Sequence, residues 1–184
     1  MLEPVTDRLP FADSDAVPDS DAVPDPRAGT GTRTEDGTRE DAAVAPSFQS
    51  AATAQGQVFA GQCDFLLEQN GFRLDTERLV VSEVGVEIDR VATAPSGGQY
   101  WFEYKGSIQG SRPGLKRTDT VKKAVANGAL LRAVPEAAPY IVLTSHLPER
   151  GAGAAMLTTA LDLGYLADVI CVYDPTASSR LRAL

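Results

Sequence analysis

The segment Tyr140-Ile141-Val142-Leu143-Thr144 runs five residues without a charge or an amide. A strand with one face in water alternates apolar and polar residues, whereas a continuous apolar run needs cover on both faces. Ala167-Asp168-Val169-Ile170-Cys171-Val172 has nearly the same character, and Gly151 to Leu163 between them reads as a helix. Two buried strands joined through a helix predict a parallel pair with helices lying on the sheet. Upstream, Ala51 to Asn70 has helical spacing, with Val58, Phe59, Gln62, Phe65, Leu66 and Gln69 near one face and Gly71 as its stop. Phe72 to Val81 is expected to be a strand with an irregular middle. A further helix, capped by Thr118 or Asp119, places Val121, Ala124, Val125, Gly128, Leu131 and Arg132 at helical intervals. With a hairpin between these parts the order is αβββαβαβ, an α/β sandwich around a central mixed sheet. Tyr173 to Leu184 has no clear element.

The hairpin comprises Gly85-Val86-Glu87-Ile88-Asp89-Arg90-Val91 and Tyr100-Trp101-Phe102-Glu103-Tyr104-Lys105-Gly106. Val84, Val86 and Ile88 alternate with Glu87 and Asp89, and Tyr100, Phe102 and Tyr104 alternate with Trp101, Glu103 and Lys105. Ala94-Pro95-Ser96-Gly97-Gly98 favours a reversal. A turn centred on Ser96 sets Asp89 opposite Glu103 and Glu87 opposite Lys105. Two ionised carboxylates facing each other across roughly 5 Å repel, so one takes a proton unless a cation lies between them. Mg²⁺ suits such a pair, because it needs few carboxylates and keeps several waters. A metal there polarises a phosphoryl oxygen and acidifies a water, while an ammonium such as Lys105 orients that water or stabilises developing charge. The same charges on a solvent-facing hairpin would otherwise serve as cross-strand ion pairs worth about 0.2 to 1 kcal/mol each.

An acid on one strand and Glu-x-Lys on the next, with a helix before and a helix and strand after, resembles the PD-(D/E)XK, or restriction-endonuclease-like, nuclease superfamily. The matching residues are Asp89 and Glu103-Tyr104-Lys105, and the resemblance spans about Gln55 to Val172. It implies an αβββαβ core, here with an extra αβ unit, and a nuclease domain over 51–173 followed by a tail over 174–184. It further implies that Asp89, Glu103 and the Tyr104 carbonyl hold Mg²⁺, with Mn²⁺ able to substitute, and that Lys105 is the catalytic base or water-orienting group. Many members carry a further acid on the first helix. Gln62 stands near that place, and Glu87 is the residue that could supply a third carboxylate.

Downstream, 106–117 is rich in glycine and basic residues, and Lys122 and Lys123 lie in the first turns of the next helix. Lysines are disfavoured by the dipole at a helix start, so an external anion is expected to offset them. Arg112, Lys116, Arg117, Lys122 and Lys123 are accordingly the expected phosphate contacts. The alternative is a solvated helix face. The function expected is phosphodiester hydrolysis by a metal-dependent endonuclease, on DNA in preference to RNA, with a homodimer able to cut both strands. A non-catalytic nucleic-acid-binding or protein-interaction member of the same fold is the competing expectation.

Charge does not oppose a nucleic-acid partner. Met1 to Ser50 holds 11 of the 25 acids but only four of the 17 basic residues, so seven of the chain's eight net negative charges lie there. That stretch includes a tandem Asp-Ser-Asp-Ala-Val-Pro over 13–18 and 19–24 and few aromatics; it is expected to be a disordered acidic tail. No run approaches the roughly 20 apolar residues that span a bilayer, so no membrane role is expected. Two cysteines, Cys63 and Cys171, are too few for a disulfide framework and suit small core positions in a reducing, cytoplasmic setting. His146 is the only histidine, which excludes paired-histidine zinc chemistry; its place after a buried strand allows an approach to the scissile phosphate but fits an ordinary polar loop as well. Trp101 is either a packing residue or a base-stacking one.

Overall fold

A computed structural model describes residues 48–106 and 113–184, with side-chain surroundings given from residue 54 onward. The expected acidic tail and Arg112 therefore fall outside the described residues, apart from the tail's last three positions. Helix α1 (Phe48–Gln69) leads into strands β1 (Arg73–Val81), β2 (Val86–Thr93) and β3 (Gln99–Lys105). A 3-10 turn (Gly114–Lys116) precedes α2 (Thr118–Leu131), followed by β4 (Tyr140–Thr144), α3 (Ala152–Asp162), β5 (Asp168–Cys171) and α4 (Ala177–Arg182). The five strands form one sheet in chain order. β1, β2 and β3 are antiparallel neighbours, while β3, β4 and β5 run parallel. The expected mixed sheet flanked by helices is present, and β4 is buried along its whole length as its unbroken apolar run requires.

Alternation sorts the core into two layers. Trp101, Tyr140 and Val142 pack with Val121 and Ala124 of α2 and Leu157 of α3. Phe102, Ile141, Leu143 and Ile170 pack with Phe59, Cys63 and Leu67 of α1 and Ala177 and Leu181 of α4. The apolar face of α1 is thus Phe59, Cys63 and Leu67, whereas Val58 and Phe65, expected to face the core, are 55% and 62% exposed. The buried stripe is shifted by about one residue from the expected one, and it packs with Phe102 and Ile141 of the sheet. α4 was not legible as an element. Its two core side chains make the last residues part of the domain rather than a tail, and the backbone carbonyl of Leu184 accepts hydrogen bonds from Ser96 and Tyr100 at 3.0 Å each. α2 also starts differently from expectation: Arg117 is its N-cap and no side chain caps it. Asp119 is drawn to Arg117 at 2.9 Å instead. Among the described residues no helix is long and apolar enough to cross a membrane.

The β1–β2 hairpin changes face part-way. Arg90 and Glu77 pair across the strands and point toward α1, yet Leu79, Val81, Val86 and Ile88 further out pack on the α2 layer. The switch falls at the Arg78 and Asp89 level, where Arg78 takes φ +50, a left-handed value that non-glycine residues seldom adopt. The irregular middle expected of β1 is this kink together with a register shift between Leu74 and Thr76.

Gly128 fixes the approach of α2 to the segment before β5, because an added Cβ would stand 2.4 Å from the Tyr165 carbonyl oxygen. Gly128→Ala gains about 1 kcal/mol of helix propensity, but the clash is with backbone and cannot be relieved by rotating a side chain. The expected net effect is a loss of about 1 to 3 kcal/mol in denaturant unfolding. Gly56→Ala in α1, with nothing within 4 Å of its added Cβ, should instead be neutral or stabilising by up to about 1 kcal/mol.

Candidate metal and phosphodiester site

The register of β2 on β3 is the one expected from a turn at Ser96: Arg90, Val91, Ala92 and Thr93 face Phe102, Trp101, Tyr100 and Gln99. The same register carried one step further places Asp89 opposite Glu103, but backbone pairing stops at Arg90 and Phe102. Beyond that point the kink at Arg78 and Asp89 draws β2 away with β1. The Asp89 side chain fills the opening, its Oδ2 accepting the Tyr104 backbone N–H at 2.7 Å. Because one strand residue presents its N–H and C=O to the same neighbour, the Tyr104 carbonyl faces this split too. The Asp89 charge is felt by Glu103 on one face and by Cys63 on the other, as expected for a carboxylate near the plane of the sheet.

Glu103 and Lys105 lie on the α2 face of β3. Glu103 is 3% exposed and is ion-paired with the Lys105 ammonium, whose side chain is itself mostly buried. Burial raises the Glu103 pKa; the Lys105 charge opposes that rise and the Asp89 charge adds to it. Beside them lies the buried Tyr140 hydroxyl, close to Glu103, and its pKa is raised by burial and by Glu103, so it remains a neutral donor. Lys105 is anchored through its main chain, whose carbonyl accepts the Thr144 hydroxyl at 2.7 Å from β4. The parallel pairing of Lys105 with Thr144 thus sets the lysine at the carboxyl end of the sheet.

Other expected participants stand elsewhere. Glu87 pairs with Val80 on β1, not with Lys105, and its exposed carboxylate lies 3.7 Å from Arg78. The face switch explains this, since Val86 and Ile88 on either side of Glu87 turn into the α2 layer and leave it outward. Gln62 accepts a hydrogen bond from the Tyr173 hydroxyl at 2.6 Å, beyond β5. Lys116, Arg117, Lys122 and Lys123 are all exposed, and Arg117 is already engaged by Asp119. The turn that carries Lys116 is tied to the end of β4, with Leu115 N–H donating to the His146 carbonyl at 3.0 Å. His146 lies edge-on to Tyr173 and its Nδ1 is buried without a partner. Trp101 is buried in the α2 layer and is a packing residue. Cys63 is a buried free thiol with its pKa pushed up by burial and then by Asp64 and Asp89, an unreactive core residue.

The acid that α1 brings to the strands is Asp64. Its carboxylate receives Arg90 through two nitrogens at 2.9 and 2.6 Å and the Tyr104 hydroxyl at 2.6 Å. Burial and this carboxylate hold the Tyr104 phenol well above its usual pKa. Gln62, the residue expected near this place, lies two positions earlier and is exposed. The available signal was that Asp64 is the one charged residue between Ala51 and Leu67, in a helix that must cover the sheet.

Among the described residues no three acidic, histidine or cysteine side chains converge as a metal cluster. Asp89, Glu103 and the Tyr104 carbonyl nevertheless fit the donor set of a magnesium ion, which binds through one or two carboxylates and retains water. No family model matches the chain, and no curated protein or solved structure matches it.

The raised Glu103 pKa has a signed consequence. The folded state holds that proton more tightly than the unfolded chain, so this group's stabilising contribution is present below the ordinary carboxylate range and is lost as pH rises through the raised value. Carboxyl NMR should show Glu103 titrating above that range, with the midpoint falling in Asp89→Asn and rising in Lys105→Met. Glu103→Gln should remove the corresponding slope from stability against pH.

Proposed function

We propose that this chain is a metal-dependent nuclease of the PD-(D/E)XK type, acting on DNA. The observation that carries the reading is the Asp89 carboxylate standing in the β2–β3 split against Tyr104, next to buried Glu103 and Lys105. Ordinary surface ion pairs are solvated and worth little. Here a carboxylate and an ammonium are buried together near a second carboxylate, an arrangement whose desolvation cost favours recruitment of a cation.

Asp89, Glu103 and the Tyr104 carbonyl would hold Mg²⁺. Bound there, the ion would polarise a phosphoryl oxygen and lower the pKa of a bound water. Glu103 would exchange its contact with Lys105 for one with the metal, and the freed ammonium would orient the attacking water and offset charge on the phosphorane-like transition state. Lys116, Lys122 and Lys123, exposed and without ion-pair partners among the described residues, would meet backbone phosphates, with Arg117 joining them on release from Asp119. Gln62 and Glu87 have no part in this reading. A two-site homodimer would account for cleavage of both strands.

The full-length protein should nick or cut plasmid DNA with Mg²⁺ or Mn²⁺ and not with EDTA. Asp89→Asn, Glu103→Gln and Lys105→Met should each reduce the rate by about 10²- to 10⁴-fold. Lys122→Ala and Lys123→Ala should weaken DNA binding uniformly across sequences and flatten the log–log salt slope by about one unit per contact removed. Salt-sensitive binding with no cleavage of plasmid, linear or single-stranded DNA would identify a non-catalytic DNA-binding protein instead.

A further inference from the structure

Tyr104 is bonded at both ends. Its N–H fixes the Asp89 carboxylate at 2.7 Å, and its hydroxyl is fixed by Asp64 of α1 at 2.6 Å. Asp64 in turn accepts two hydrogen bonds from Arg90, the residue next to Asp89, and Arg90 also donates to Glu77 on β1 at 3.0 Å. The network lies on the face of the sheet opposite Glu103 and Lys105. Its members nonetheless alternate in sequence with the site residues: Arg90 follows Asp89, and Tyr104 separates Glu103 from Lys105. Backbone pairing between β2 and β3 ends at Arg90 and Phe102, so no ladder bond sets the distance between the strands at the site itself. Besides the Tyr104 N–H to Asp89 bond, one helix carboxylate holds a side chain from each strand.

We propose that Asp64 is a positioning residue that acts through Tyr104 and Arg90 to set the width of the β2–β3 split, and with it the separation of the Asp89 and Glu103 carboxylates. Its oxygens are occupied by Tyr104 and Arg90, so its role is to hold the strands and not to bind the metal. The inference rests on the nuclease reading for its catalytic consequence, but its structural part stands apart from it. Partners one layer removed from a metal ligand affect affinity by about 10- to 100-fold, which sets the size of effect expected.

The test compares wild type with Tyr104→Phe, which keeps the ring and removes only the hydroxyl, and with Asp64→Asn and the double variant. Three quantities are measured on the full chain: amide hydrogen exchange at residues 101, 102 and 104, Mn²⁺ affinity by calorimetry, and kcat and KM for DNA. In Tyr104→Phe, exchange at residue 104 should rise at least about tenfold relative to 101 and 102, Mn²⁺ affinity should fall about tenfold, and kcat should fall with KM unchanged. The double variant should lose no more Mn²⁺ affinity than Asp64→Asn alone, because both substitutions break one chain of contacts. A folded Tyr104→Phe with wild-type exchange at residue 104 and wild-type Mn²⁺ affinity would overturn the proposal. So would an equal rise in exchange at all three amides, which marks a general stabilising contact. If wild type binds no Mn²⁺, the nuclease reading fails, and selective exchange at residue 104 still decides whether Asp64 sets the split.

Discussion

The hydrogen bond from the Tyr104 N–H to the Asp89 carboxylate is the contact on which the arrangement of the sheet depends. In an unbroken antiparallel ladder that donor would meet a backbone carbonyl of β2. Here β2 departs with β1 at the kink marked by Arg78, and a side chain takes the place of the missing acceptor. A buried amide left without a partner costs about 1 to 3 kcal/mol, so Asp89 does structural work whatever else it does. The same substitution of side chain for main chain opens a gap between two central strands and places a charge in it.

That gap lies where the sheet changes from antiparallel to parallel. β3 is antiparallel to β2 on one side and parallel to β4 on the other, and both its charged residues face α2. On the β4 side Lys105 is secured by Thr144 through its carbonyl, while its ammonium pairs with Glu103. On the α1 side Asp64 and Arg90 brace both strands. The site is thus made from alternate residues of two strands, with polar contacts on both faces of the sheet. Removing one member of the buried Glu103–Lys105 pair would strand the other at a cost of about 3 to 5 kcal/mol.

Much of this was legible in the sequence because the responsible signals are local. The unbroken apolar run at Tyr140 requires cover on both faces, and Pro95 with Gly97 and Gly98 centres the turn that pairs Arg90 with Phe102. What escaped depended on three-dimensional neighbours. The kink at Arg78 sends Glu87 outward, and no feature of Gly85 to Val91 announces it. The buried stripe of α1 was missed by about one residue, and with it Asp64, because only packing with Phe102 and Ile141 fixes the rotation of the helix. α4 has six residues and two core side chains, too few for a periodic signal. The cluster of Lys116, Arg117, Lys122 and Lys123 was visible, but its members are exposed and any bond to an outside anion lies beyond the chain.

A nuclease of the proposed kind needs a divalent cation in the β2–β3 split between Asp89 and Glu103. Crystals grown with Mn²⁺ and measured at the manganese absorption edge test it most directly. An anomalous peak is expected within bonding distance of Asp89, Glu103 and the Tyr104 carbonyl, with the Lys105 ammonium moved off Glu103. Full manganese saturation with no peak in the split, and Lys105 still paired with Glu103, would contradict it.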